Sequence, residues 1–375
     1  MFRANVTLFE IFGLKIRVNV SWTFIAIFLA WSLAQGYFPA VYEGLSELTY
    51  WWMGVAGVVG LFGSIVLHEL AHSLVARSFG MGTKSITLWL LGGIAELTDA
   101  PPSPRAEFWM AIAGPLMSLS LAILFFAAYS IATNVMGENA LAVVLHYLAL
   151  VNLVVAVFNL IPAFPMDGGR VLRAWIWSSS GDFDQATRKA ATVGSWFGTG
   201  LIALGLINVL FSQGLHGLWW AILGMFIRFA ADAELYRCET EKALKNMSVM
   251  DFMTAQPVTV PAHTNARDFL DSYVLKHHHQ MYPVLDDGKL IGSINANRLG
   301  AIEPEQLRQT QVADLLDPVS NDTAMESSEP AEAALNKMQS GGRSRLLVLE
   351  RGSLVGVLAL KDLLRVVALR IEFGR

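Results

Sequence analysis

"GSIVLHELAHSLVARSFG", residues 63–80, is the stretch whose reading decides the fold. It sets His68, Glu69 and His72 in a run that is otherwise apolar. That run extends from 51 to 79, longer than the roughly 20 residues a helix needs to cross a hydrocarbon core. Each ionisable side chain at such a depth costs a few kcal/mol, so three of them within five positions require a chemical reason.

The surrounding sequence supports a membrane setting. The chain is 54% hydrophobic and only 15% charged, against roughly 25% charged in soluble domains. Further apolar stretches lie at 20–36, 106–132, 140–161, 190–211 and 215–233, which with 51–79 give about six spans. Residues 240–375 are instead dense in Asp, Glu, Lys and Arg, so a polytopic α-helical membrane domain is followed by a soluble one. Loops 37–50, 133–139 and 212–214 lack Lys and Arg, whereas Arg17, Arg77, Lys84, Arg105, Arg170, Arg173, Arg188 and Arg237 fall on the opposite side. The positive-inside rule then places both termini in the cytoplasm. The opening "MFRANVTLFEIFGLKIRVNVSW" alternates polar and apolar residues and predicts a short hairpin or strand, not a cleavable signal peptide. A net charge of −4 with no basic stripe argues against a nucleic-acid partner. Cys238 is the only cysteine and excludes an intrachain disulfide.

His68 and His72 are four apart, so on a helix their side chains share one face and can grip one ion, with Glu69 beside them to address a water. This is the H-E-x-x-H zinc pattern, in which the Glu is the general base. A catalytic zinc takes three protein ligands and keeps one position open. The extended form of the motif is absent, since Val75 and Ser78 occupy its glycine and histidine positions, so the third ligand comes from elsewhere. Glu96 in "LLGGIAEL", Asp99, His146 and Asp167 are the candidates. Asp167 lies among Pro162, Pro165, Gly168 and Gly169, which break a helix and let irregular backbone line a cavity; it reads equally as a turn or capping residue.

"HELAH" in one span, "AGP" at 113–115 in another and "NLIPAFPMDGG" at 159–169, in that order, resemble the site-2 protease family of intramembrane zinc metalloproteases. The resemblance covers about residues 1–235, and the opening strand is similar to that of the prokaryotic branch with a CBS-domain tail. It implies that His68, His72 and Asp167 hold one Zn2+ per chain and that Glu69 is the catalytic base. It also implies that Asn159 helps hold substrate, and that Gly92 and Gly93 flank a hairpin that meets the substrate as a strand. Met166 stands where Leu often precedes the Asp, a change conservative in bulk. The implied activity is regulated intramembrane proteolysis of a transmembrane or membrane-proximal protein, with the chain in the cell membrane.

The soluble tail repeats itself. "MYPVLDDGKLIGSINANRL" at 281–299 and "RLLVLERGSLVGVLALKDL" at 345–363 align at an offset of 64, an internal duplication of an α/β unit. The pattern resembles a pair of CBS domains, which implies an adenine nucleotide in the cleft between copies and leaves a homodimer through the pair open. Of the family's phosphate and ribose element the first copy keeps Gly292 with Asn295 and Arg298, and the second keeps Gly356 with Ala359 and Asp362. Only Asp362 retains a carboxylate suited to a ribose hydroxyl, and it reads equally as a helix-start residue. His277, His278 and His279 would diverge on a helix and read as surface.

The organisation expected is a metalloprotease domain at 1–235, a connector at 236–246 and CBS repeats at 247–302 and 310–370, with both termini and the tail cytoplasmic. A cation transporter or channel under CBS control is the competing reading, and Glu69 is the residue such a site would not need.

Overall fold

The computed structural model describes residues 5–89, 92–97, 101–211 and 216–373, and the chain divides into two compact units, Met1–Tyr236 and Arg237–Arg375. The expected loop at 212–214 and the ligand candidate Asp99 lie outside the described residues.

The first unit opens with a hairpin of β1 (Asn5–Ile11) and β2 (Leu14–Asn19), then α1 (Val20–Ser32), a π-helical turn, α2 (Phe38–Val41) and α3 (Glu47–Ser78). A second hairpin, β3 (Thr83–Trp89) and β4 (Gly92–Leu97), leads into α4 (Pro104–Met136), α5 (Ala140–Asn159), α6 (Asp167–Ser180), α7 (Phe183–Phe211) and α8 (His216–Leu244). The two hairpins form one sheet in the order β1-β2-β3-β4, joined by the parallel pair β2 and β3, with β4 at an edge. Local chemistry fixes the helix starts. Asn19, Ser46, Ser103 and Asn139 each accept a hydrogen bond from a backbone N–H of the first turn of α1, α3, α4 and α5, supplying acceptors to groups that have no partner within the helix.

Five segments are long and apolar enough to cross a membrane by length and composition: Val20–Val41, Glu47–Ser78, Pro104–Met136, Ala140–Asn159 and Phe183–Phe211. They remain apolar on their outward faces, where Phe24, Ile27 and Phe28 of α1 are exposed, as expected of helices whose solvent is lipid. The sixth expected stretch falls in α8, where charged residues begin at Arg228.

The second unit holds two four-stranded sheets. One is β6 (Val260–Pro261), β7 (Met281–Asp286), β8 (Lys289–Asn295) and β9 (Asp317–Pro318). The other is β10 (Ala324–Glu326), β11 (Arg345–Glu350), β12 (Ser353–Ala359) and β5 (Thr254–Ala255). The last strand of each sheet is exchanged between copies: Gly292 pairs with Pro318 and Gly356 with Ala255 in matching register. The helices are α9 (Ala266–Phe269) and α10 (Leu275–His277) in the first copy, and α11 (Ala331–Gly341) and α12 (Leu360–Phe373) in the second. Each copy has its own core, Phe269, Tyr282, Val284 and Ile294 in one and Met338, Leu346, Val348 and Leu363 in the other. The second core also includes Ala243 and Leu244, which belong to this unit. The triple histidine is not helical throughout. His278 turns left-handed with φ 55 and ends α10, which brings the His277 and His279 rings parallel with centroids 6.1 Å apart.

Candidate metal centre

α3 presents His68 and His72 one turn apart, and α6 presents Asp167 at its first residue. The three side chains converge. His68 Nε2 and His72 Nε2 are 3.1 Å apart, and Asp167 Oδ2 lies 3.3 Å from the first and 3.2 Å from the second. Ligand atoms about 2.0–2.1 Å from one ion at tetrahedral angles stand roughly 3.3 Å from one another, so this triangle has the edge length of a zinc site. Among the described residues no other group of three or more His, Cys, Asp or Glu side chains comes together in this way.

The outer nitrogens of both imidazoles are occupied. His72 Nδ1–H donates to the Met110 carbonyl at 2.6 Å, which leaves Nε2 as a lone pair facing the cluster. His68 Nδ1 lies 2.9 Å from Ser118 Oγ. Such outer partners fix ring orientation and tautomer. Both partners belong to α4, and the small residue between them is decisive: a Cβ on Gly114 would stand 2.6 Å from His68 Nε2 and closer still to His72 Nε2. The "AGP" motif is thus the place where α4 makes room for the two rings.

A second close approach places Asp167. The turn Ile161–Met166 between α5 and α6 folds back on the start of α6, where Cβ atoms on Gly168 and Gly169 would run into the Leu160 and Ile161 carbonyls and the Ala163–Phe164 backbone. The glycine pair lets the helix begin against this turn with its first carboxylate directed at the histidines.

Glu69 follows His68 on α3, is half-buried, and has no hydrogen-bond partner among the described residues. Asn159 closes α5. Gly92 and Gly93 pair with Trp89 and Leu88 in the β3–β4 hairpin, leaving the other edge of β4 without a strand among the described residues. His146 sits elsewhere, its ring 5.0 Å from Tyr129. Asp362 lies in the first turn of α12 and lines a cleft in the second unit with Thr254, His279, Arg345 and Lys361.

The sequence of Peptidase family M50 matches residues 56–137 and 129–203, and the CBS domain matches 249–299 and 312–369. Zinc metalloprotease MJ0392 of Methanocaldococcus jannaschii is 33% identical over 369 residues, 97% of this chain and 96% of that protein. Rip3 of Mycobacterium tuberculosis strain H37Rv is 38% identical over 357 residues, 93% of this chain and 90% of that protein. This chain belongs to peptidase family M50. It is a membrane zinc metalloprotease of the site-2 protease type with a C-terminal CBS pair. The solved site-2 protease of Methanocaldococcus jannaschii is 30% identical, covering 62% of this chain and 95% of that one, with a TM-score of 0.42. The M50 match includes His68, Glu69, His72, Gly114, Asn159 and Asp167.

Three residues of the site were not reached from sequence. The Met110 carbonyl carries no side-chain signal, Ser118 is one serine among several in an apolar run, and Gly114 was visible only as part of a motif. The signal that joins them is spacing: 110, 114 and 118 form one face of a helix.

Proposed function

We propose that this M50 protein hydrolyses a peptide bond in a transmembrane or membrane-proximal protein segment, with His68, His72 and Asp167 as the zinc ligands and Glu69 as general base. The observation that carries the reading is the triangle of three donor atoms 3.1–3.3 Å apart, with a half-buried carboxylate one residue from the first of them. When bound there, one zinc ion per chain would supply Lewis acidity, lowering the pKa of water toward about 7 and polarising a carbonyl. Ser118 and the Met110 carbonyl hold the imidazoles in orientation. Glu69 takes a proton from the water as its oxygen attacks the scissile carbonyl carbon, and returns it to the leaving nitrogen as the C–N bond breaks. The products are a carboxylate and an amine, with no covalent enzyme intermediate.

A helical substrate hides its carbonyls in intrahelical hydrogen bonds and must unwind first. The edge of β4 at Gly92 and Gly93, which pairs with no strand among the described residues, offers backbone groups with which an extended segment can pair, and Asn159 adds a side-chain contact. The unit at 1–235 carries the chemistry, the repeats at 247–302 and 310–370 carry control, and 236–246 connects them. Both termini and the CBS pair are cytoplasmic on the distribution of Lys and Arg.

For the tail we infer one adenine nucleotide in the cleft at Asp362, with the carboxylate on a ribose hydroxyl. His279, Arg345 and Lys361 line the same cleft. Arg345 bonds the neutral Gln280 and Ser344 side chains, and burial together with neighbouring His277, Arg345 and Lys361 holds His279 below the usual imidazole range. Such a surplus of positive charge suits phosphate. A cation-transport function is not favoured, because MJ0392, aligned along nearly the whole chain, is named a zinc metalloprotease.

The test is Glu69→Gln in the full chain. The variant keeps about one zinc per chain and loses cleavage by about 10²- to 10⁴-fold, and membrane proteins retained on it in cells are cut by the wild type in liposomes. Undiminished cleavage by the variant contradicts the assignment of the base.

A further inference from the structure

The membrane unit holds a second buried cluster of charge that the chemistry above does not use. Arg173 on α6 is 5% exposed and Glu107 on α4 is 0% exposed. The Arg173 Nε donates to Glu107 Oε1 at 2.6 Å, and a second guanidinium nitrogen is 2.5 Å from the same oxygen. The third donates to Glu234 Oε1 on α8 at 3.0 Å. The guanidinium carbon lies 4.7 Å from the Phe183 ring centre and 5.3 Å from that of Phe164. Glu107 Oε2 is buried without a hydrogen-bond partner among the described residues. A buried pair is weak grounds for stability in itself, because the desolvation of two charges offsets much of their attraction. An arrangement that also leaves one carboxylate oxygen unsatisfied asks for another reason.

The reason lies in where the three helices lead. On α4, Glu107 is followed by Met110, Gly114 and Ser118 at steps of three, four and four, so all four share one face. Three of them hold or admit the histidine rings, and the fourth holds Arg173. On α6, Arg173 lies six residues after Asp167. One ion pair therefore joins the helix that orients His68 and His72 to the helix that delivers the third donor. The remaining arm reaches Glu234 on α8.

We propose that Arg173, held by Glu107 and Glu234, is the positioning residue that keeps Asp167 in register with the two histidines, with α8 tightening the arrangement through Glu234. The inference rests on the reading of His68, His72 and Asp167 as ligands and adds the device that brings them into register. Outer groups of this kind change metal affinity by about 10- to 100-fold when removed.

The experiment is zinc transfer from the detergent-solubilised full chain to a chelating dye, read as a rate, beside the thermal unfolding midpoint. The double change Glu107→Gln with Arg173→Met removes the buried pair together; Glu234, 23% exposed, loses its bond to Arg173 and keeps access to solvent. It is expected to release zinc about tenfold faster or more. Arg173→Lys, which keeps the charge without the fork, should fall between it and the wild type, and Glu234→Gln should accelerate release less than the double change. Zinc release at the wild-type rate in any of the three overturns the proposal, as does a lowered unfolding midpoint with zinc release unchanged, which is the mark of a structural role alone. A wild type that holds no zinc removes the ligand reading with it, whereas a zinc-loaded wild type with unresponsive variants removes this inference alone.

Discussion

In the membrane unit His68, Glu69 and His72 stand out because the residues around them are apolar; in the tail Asp362 is one charge among many and stands out only against Arg298, its counterpart 64 positions earlier. The difference has a physical basis. Hydrocarbon makes every polar group expensive, so a cluster of them within a span points to chemistry. Water imposes no such penalty on the tail, and function is legible there only where one copy of the repeat departs from the other. The two copies diverge accordingly. Arg298 pairs with Asp317, closing charge on charge, whereas at the equivalent place in the other copy Asp362 shares its cleft with Thr254, Arg345 and Lys361.

The contrast is broken most severely in the membrane unit by Gly114→Ala. The added methyl meets the Nε2 ends of the two imidazole rings first, so the rings must leave their partners Met110 and Ser118 to make room. Zinc per purified chain should fall from about one to below a tenth, with the unfolding midpoint nearly unchanged. Full zinc in this variant would show that α4 does not shape the site.

The tail should respond more gently. Asp362→Ala removes one charge-assisted hydrogen bond, worth about 1.5–3 kcal/mol, and so should weaken binding of an adenine nucleotide to the full chain by about 10- to 100-fold in calorimetry. Arg298→Ala should leave that affinity within about twofold, since Asp317 already pairs with its charge. Equal losses in the two variants would mean that the copies are equivalent and that the departure carries no function.

How much of this was legible follows the same logic. The spans, the duplication and the His68–Glu69–His72 face could be read directly, because each is a pattern set against a uniform background. Asp167 could not be separated from Glu96, Asp99 and His146 by residue type, since its role depends on a turn in which Gly168 and Gly169 let backbone segments touch. Arg173 was legible only as one of the positive charges from which an orientation is expected, although it is buried between two carboxylates and two aromatic rings. A sequence gives the charge of a residue and not its partner. The apolar span at 20–36 that became α1, by contrast, was evident because lipid requires nothing beyond composition.

The central claim is that two imidazoles of α3 and one carboxylate of α6 form a single zinc site, and zinc X-ray absorption on the purified full chain tests it most directly. The account predicts about one zinc per chain, two imidazole nitrogens and oxygen ligands at about 2.0–2.1 Å, and the loss of most bound zinc in Asp167→Ala. A third imidazole in the spectrum, or full zinc occupancy retained in Asp167→Ala, would contradict it.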